Sequence, residues 1–167
     1  MEKRDVVSSV NSLLCGATEN SVIFIGLGNC DRSDDGIGLY MAERLKRTGQ
    51  LRVYTETERS VESLVWDAVH DDCIATVIFF DAVSAGAAPG DIVIVSRENA
   101  DLAAQPISTH KVPVLFIMQW LIQAGKTPYI IGIQPKSLAF MGDMSPECKE
   151  TAQCVVLEIR RIMNCSE

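Results

Sequence analysis

Histidine is scarce in this chain, with two residues, His70 and His110, among 167. A site that uses imidazole must draw on one of them. The six cysteines, Cys15, Cys30, Cys73, Cys148, Cys154 and Cys165, contain no C-x-x-C pair, which argues against a structural zinc knuckle. No Gly-x-Ser-x-Gly elbow is present, so a serine nucleophile of the α/β-hydrolase kind is not expected. No apolar run is long enough to span a bilayer. Basic residues are outnumbered, 15 Lys and Arg against 22 Asp and Glu, for a formal net charge of -7. The sequence pI is near 4.8, the wrong sign for a nucleic-acid partner. Lys3-Arg4, Lys46-Arg47 and Arg160-Arg161 are the adjacent basic pairs, far apart in sequence and on expected helices. The opening residues do not make a signal peptide, so the expectation is a cytoplasmic protein with reduced thiols. Internal repeats and low-complexity linkers are also missing, and the length suits one domain over residues 1–167 with a substantial core.

Against these absences stands a regular alternation of strand and helix patterns. Val6, Val7, Val10, Leu13 and Leu14 recur at helical spacing and predict a helix from about Asp5 to Cys15, ended by Gly16. Val22 to Leu27 is almost continuously apolar, as in a central parallel strand covered on both faces. Ile37, Tyr40, Met41 and Leu45 mark the next helix, and Arg52 to Thr57 a strand. Ser60 is placed to cap a helix carrying Val61, Leu64, Val65 and Val69. Ala75 to Phe80 reads as a second buried strand ending in Asp81. Ile92 to Val95 follows too soon for a crossover helix and is expected to run antiparallel. A long apolar helix over Val112 to Ala124, a strand over Tyr129 to Ile133 and a helix from Pro146 to Asn164 complete the pattern. The fold class expected is α/β: a three-layer sandwich with a mostly parallel twisted sheet, one antiparallel strand and helices on both faces.

The chemistry-bearing residues gather where such sheets hold their sites, beyond the C-terminal ends of the strands. The stretch from Gly26 to Gly38, Gly-Leu-Gly-Asn-Cys-Asp-Arg-Ser-Asp-Asp-Gly-Ile-Gly, joins the first strand to a helix as a phosphate loop would. It carries three aspartates against one arginine, and Asp31 stands where the third glycine of a dinucleotide fingerprint belongs. Carboxylates suit a cation instead. Asp34 and Asp35 after the first strand, Asp81 after the third and His110 before the long helix form a candidate site for a divalent transition metal. Each also has a plainer reading: Asp34 as a helix cap, Asp35 as a complement to the helix dipole, Asp81 as a turn residue, His110 as a cap or solvated side chain. His70 reads as structural at a helix end. Cys30, in the glycine loop, reads as a small loop filler or as half of a Cys–His pair with His110.

Gly26-x-Gly28-Asn29 followed by Asp34-Asp35-Gly36-x-Gly38 resembles the opening motif of the hydrogenase maturation endopeptidases. The likeness continues, in order, with Phe80-Asp81-Ala82, Pro89-Gly90, Ser108-Thr109-His110, Gly132-Ile133-Gln134-Pro135 and Met144-Ser145-Pro146. The resemblance implies an endopeptidase that trims a C-terminal extension from the nickel-loaded large-subunit precursor of a nickel–iron hydrogenase. It implies that Asp35, Asp81 and His110 contact a nickel carried by that precursor, and that these residues are the catalytic set. It makes residues 1–20 a helical extension before the family's first strand. A relative that binds nickel or the precursor without cutting is the alternative. Two departures stand out. Glu56-Thr57-Glu58-Arg59-Ser60 replaces a segment that is often glycine-rich in the family, and Cys30-Asp31 replaces residues that are usually apolar.

Overall fold

The computed structural model describes residues 3–47, 49–98 and 114–164. Among the described residues, five α-helices and five strands follow one another: α1 (Lys3–Leu14), β1 (Val22–Gly26), α2 (Ile37–Lys46), β2 (Arg52–Thr55), α3 (Val61–His70), β3 (Thr76–Ala82), β4 (Ile92–Val95), α4 (Val114–Gln123), β5 (Thr127–Ile133) and α5 (Pro146–Ile162). The strands form one sheet in the order β2-β1-β3-β5-β4. β1 pairs parallel with β2 and β3, and β3 pairs parallel with β5. β4 runs antiparallel to β5, as the short connection requires.

Side-chain alternation along the strands divides the core in two. Val22, Phe24, Ile78, Phe80 and Ala82 face a layer built from α1, α2 and α5. Ile23, Ile25, Leu27, Val77 and Phe79 face α3 and α4. The result is a mostly parallel sheet with helices on both faces, the architecture expected from the alternating pattern.

Helix ends follow local chemistry. Ser60 accepts a hydrogen bond from the Ser63 N–H at 3.3 Å and caps α3. Pro146 opens α5. Gly16, at φ +78°, ends the turn after α1. Val10 and Leu14 of α1 are buried in the same core as Val155, Val156 and Ile159 of α5. That contact is completed by Asn11, whose Nδ2 donates to Glu158 Oε1 at 2.5 Å, while Arg161 donates to the same carboxylate at 2.6 Å. The N-terminal helix therefore covers one face of the sheet's outer layer through α5.

Three sequence expectations change at element ends. β3 runs through Asp81 to Ala82, so Asp81 is a strand residue in register with Gly132 and not a turn residue beyond the strand. β2 ends at Thr55, so Glu56 and Thr57 belong to the turn that follows. The third concerns Asp34: α2 begins at Ile37 with Gly36 as its N-terminal neighbour, and Asp34 sits one turn earlier in a short 3-10 helix over Ser33–Gly36.

Candidate functional site

Close backbone contact sets the C-terminal edge of the sheet. A Cβ on Gly38 would lie 2.2 Å from the Phe80 carbonyl oxygen and 2.3 Å from that of Leu27. Hydrogen alone at this position lets the start of α2 rest on the ends of β1 and β3. Gly28, at φ +138°, packs against the Asp35 carbonyl, which a Cβ would approach to 2.1 Å. The Leu27 N–H donates to the Phe80 carbonyl at 2.9 Å. Asp35 lies three residues before Gly38, and Asp81 directly follows Phe80. The same close approach therefore brings both aspartate-bearing segments to one edge.

The neighbouring aspartates have different surroundings. Asp34 is fully buried and serves a loop more than a hundred residues away. Its Oδ2 accepts from the N–H groups of Lys136 at 2.8 Å and Ser137 at 3.0 Å and from Ser145 Oγ at 3.0 Å. Its Oδ1 accepts from the Ser145 N–H at 2.6 Å. Burial pushes this carboxyl up, but the hydrogen bonds from Ser145, Ser137 and Lys136 outweigh burial and hold it below the ordinary aspartate value. Asp34 is thus a clamp on the segment between β5 and α5, and not the cap of α2. Asp35 is 2% exposed and lines a cleft of about 620 Å³.

The cleft has an apolar wall and a polar rim. Leu27, Leu39, Val61, Val114 and Ile117 supply the wall, from the β1 end, α2, α3 and α4. Asn29, Cys30, Asp31, Arg32, Asp35, Glu56 and Thr57 supply the polar groups. Glu56 was not among the residues selected from the sequence. Its Oε1 accepts from the Gly28 N–H at 2.6 Å, so the glycine loop's donor is already engaged by a carboxylate. An anion-binding loop needs that donor facing its ligand, so the nucleotide reading loses its central feature. That hydrogen bond accounts in part for the departure at Glu56–Ser60: Glu56 ties the turn after β2 to the glycine loop.

Asp81 is fully buried. Its position in β3, two residues after Phe79, puts it on the α3 and α4 side of the sheet, the side on which the cleft opens. Its Oδ1 accepts from the Ala82 N–H at 2.8 Å. His110 lies outside the described residues, four positions before Val114, which lines the cleft. Among the described residues no group of three His, Cys, Asp or Glu side chains is arranged to hold a metal ion. His70 ends α3 with its Nδ1–H directed at the Trp66 carbonyl, 2.8 Å away, as a structural residue would. Cys15, Cys30, Cys73, Cys148 and Cys154 are free thiols, and Cys30 is exposed at the cleft. Cys165 lies outside the described residues. Among the described residues no helix is long and apolar enough to cross a membrane.

The family model described as hydrogenase maturation protease, HycI, matches residues 61–162. The chain belongs to the hydrogenase maturation protease family. The likeness extends over the fold as a whole. The hydrogenase maturation protease HycI from Thermococcus kodakarensis KOD1 is 25% identical, with a TM-score of 0.76 over 93% of this chain and 99% of that one. The endopeptidase HycI from Escherichia coli is 23% identical, with a TM-score of 0.67 over 86% of this chain and 90% of that one. The hydrogenase maturating endopeptidase HybD from E. coli is 19% identical, with a TM-score of 0.68 over 86% and 91%. No curated protein sequence matches the chain.

Proposed function

We propose that this protein is an endopeptidase that removes a C-terminal extension from the nickel-loaded large-subunit precursor of a nickel–iron hydrogenase, in the cytoplasm. The observation that carries the reading is Asp35: in a member of the maturation protease family, this residue lines a cleft at the C-terminal edge of the sheet, while its neighbour Asp34 clamps the segment between β5 and α5. Asp35 and Asp81 would supply charge, and His110 a neutral nitrogen, to the nickel that the precursor brings. A metal of this kind polarises a peptide carbonyl or lowers the pKa of a bound water. A carboxylate beside it can then take the proton from that water. The apolar wall of Leu27, Leu39, Val61, Val114 and Ile117 suits a peptide segment laid along the cleft.

The test is release of the tail peptide from nickel-loaded precursor, read by mass spectrometry. Wild-type protein is expected to release it and nickel-free precursor to stay intact. Asp35→Ala, Asp81→Ala and His110→Ala are each expected to stop release while the precursor still binds. Wild-type protein that binds the loaded precursor and never releases a peptide would sink the endopeptidase and leave the binding relative in its place.

A further inference from the structure

Phe140 and Met141 are 74% and 77% exposed, the two most exposed large apolar side chains among the described residues, and they are adjacent in sequence. They stand in the segment between β5 and α5, which the structure holds in place from several sides. Asp34 takes its four hydrogen bonds from Lys136, Ser137 and Ser145 at the two ends of this segment. Ser33 Oγ donates to the Asp143 carbonyl at 2.7 Å. The Met141 N–H donates to the Asp31 carbonyl at 2.7 Å. Met141 itself is in the left-handed region at φ +58°, a conformation that residues with a side chain seldom adopt. Such a conformation persists where surrounding contacts over-determine it, and it clusters at active sites, ligand clamps and switch regions.

An ordinary surface loop would carry small polar residues at its tip. This one holds two large apolar side chains out in water on a fixed backbone. The tip is also continuous with the cleft. Asp31, which receives the Met141 N–H, lines the cleft. So does Arg32, whose guanidinium lies 3.4 Å from the Leu138 carbonyl. The tip and the cleft therefore share residues 31 and 32 as a common wall.

We propose that Phe140 and Met141 form a preorganised docking tip that seats the body of the hydrogenase large-subunit precursor while its tail enters the adjoining cleft. This rests on the endopeptidase reading for the identity of the partner. Phe and Met are enriched at protein interfaces, and a prearranged backbone lowers the ordering cost of binding. The tip does no chemistry. It contributes to capture of the folded precursor.

The experiment compares wild-type protein with the double variant Phe140→Ser, Met141→Asn. Asparagine tolerates the left-handed backbone, so the loop keeps its course. Two readouts are taken on nickel-loaded precursor with its extension intact: affinity for the immobilised precursor, and tail release as a function of precursor concentration. The expected result is affinity weaker by about tenfold or more, with KM raised to match, kcat within about twofold and an unchanged melting temperature. Affinity equal to wild type overturns the docking tip and leaves the endopeptidase reading intact. Wild-type binding without tail release overturns the endopeptidase reading, and a tenfold loss of affinity in the variant still supports the tip. A variant that changes a dimer to a monomer with unchanged precursor affinity would make the tip a contact between copies of this chain, and the proposal would fall.

Discussion

Asp34 and Asp35 share a residue type and a turn, yet Asp34 holds a distant loop while Asp35 lines the cleft. Asp34 receives three backbone N–H groups and one hydroxyl, all from residues 136–145. Asp34→Ala would leave the two buried Ser145 donors and the half-buried N–H groups of Lys136 and Ser137 without their acceptor, at a cost of about 3 kcal/mol. For a chain of this size that lowers Tm by about 6–12 °C. Asp35→Asn, nearly isosteric, is expected to shift Tm far less and to abolish tail release. Thermal melts and a processing assay on the two variants check the division, and equal melts for both would refute it. Glu56 allows a finer contrast. Glu56→Gln keeps a carbonyl oxygen for the Gly28 N–H, whereas Glu56→Ala removes it and costs about 1–2 kcal/mol. Denaturant titration of both separates the lost acceptor from the lost charge. None of these roles could be read from local sequence. Asp34 looked like a cap because it precedes a helix. Its partners lie beyond β5, and no periodicity reports a contact across a hundred residues. Glu56 was hidden for the same reason, since its hydrogen bond crosses from the turn after β2 to the loop after β1.

At the level of elements the sequence was far more legible. β1 and the Val77–Phe80 stretch of β3 are apolar and lie inside the sheet, and β4 turned antiparallel because its connection is too short for a crossover. Ser60 and Pro146 marked two helix starts by chemistry that acts within one turn. Boundaries were less legible where pairing extends a strand. Asp81 continues β3 because Gly132 of β5 lies opposite it, although its residue type suggests a turn. The docking of α2 depends on an element-scale feature, the bare backbone of Gly38. Gly38→Ala would force a Cβ against the carbonyl oxygens of Phe80 and Leu27, which belong to β3 and the end of β1 and have little freedom to move. Overpacking of this kind typically costs about 1–3 kcal/mol, and rigid backbone on both sides favours the upper end. The variant is expected to lose stability in urea titration and to process precursor poorly, because Asp35 rides on the displaced turn. A wild-type midpoint would show that α2 can slide without penalty. His110 lies outside the described residues, so its part in the site rests on the family resemblance.

For the whole molecule, the distribution of carboxylates sets the response to pH. Several are held below their ordinary values: Glu58 by its hydrogen bond from Lys46, Asp71 by that from Arg52, and Glu158 by Arg161. Asp34 joins them, its hydrogen bonds having overcome burial. A carboxylate depressed in the folded state stabilises the protein above its unfolded pKa, and that contribution is lost as pH falls through the folded value. The pairs Lys46–Glu58, exposed, and Arg52–Asp71, half-buried, are both reached and screened by water and contribute little. Asp34 and Glu158 are buried, so the acid loss should be carried mainly by them, and both sit at contacts of α5 and its preceding loop. At the alkaline end Cys148 acts with the opposite sign. Burial pushes its thiol up, so its contribution is complete below the unfolded thiol pKa and declines as pH rises past it. Urea titrations across the pH range are therefore expected to give a plateau near neutrality, with a fall beginning below about pH 5. The Asp34→Asn variant should start from lower stability at pH 7 and fall less steeply in acid, because it has one fewer depressed carboxylate to protonate. Parallel curves for wild type and variant would mean that Asp34 titrates alike in the folded and unfolded chain, and the clamp would then owe nothing to its charge.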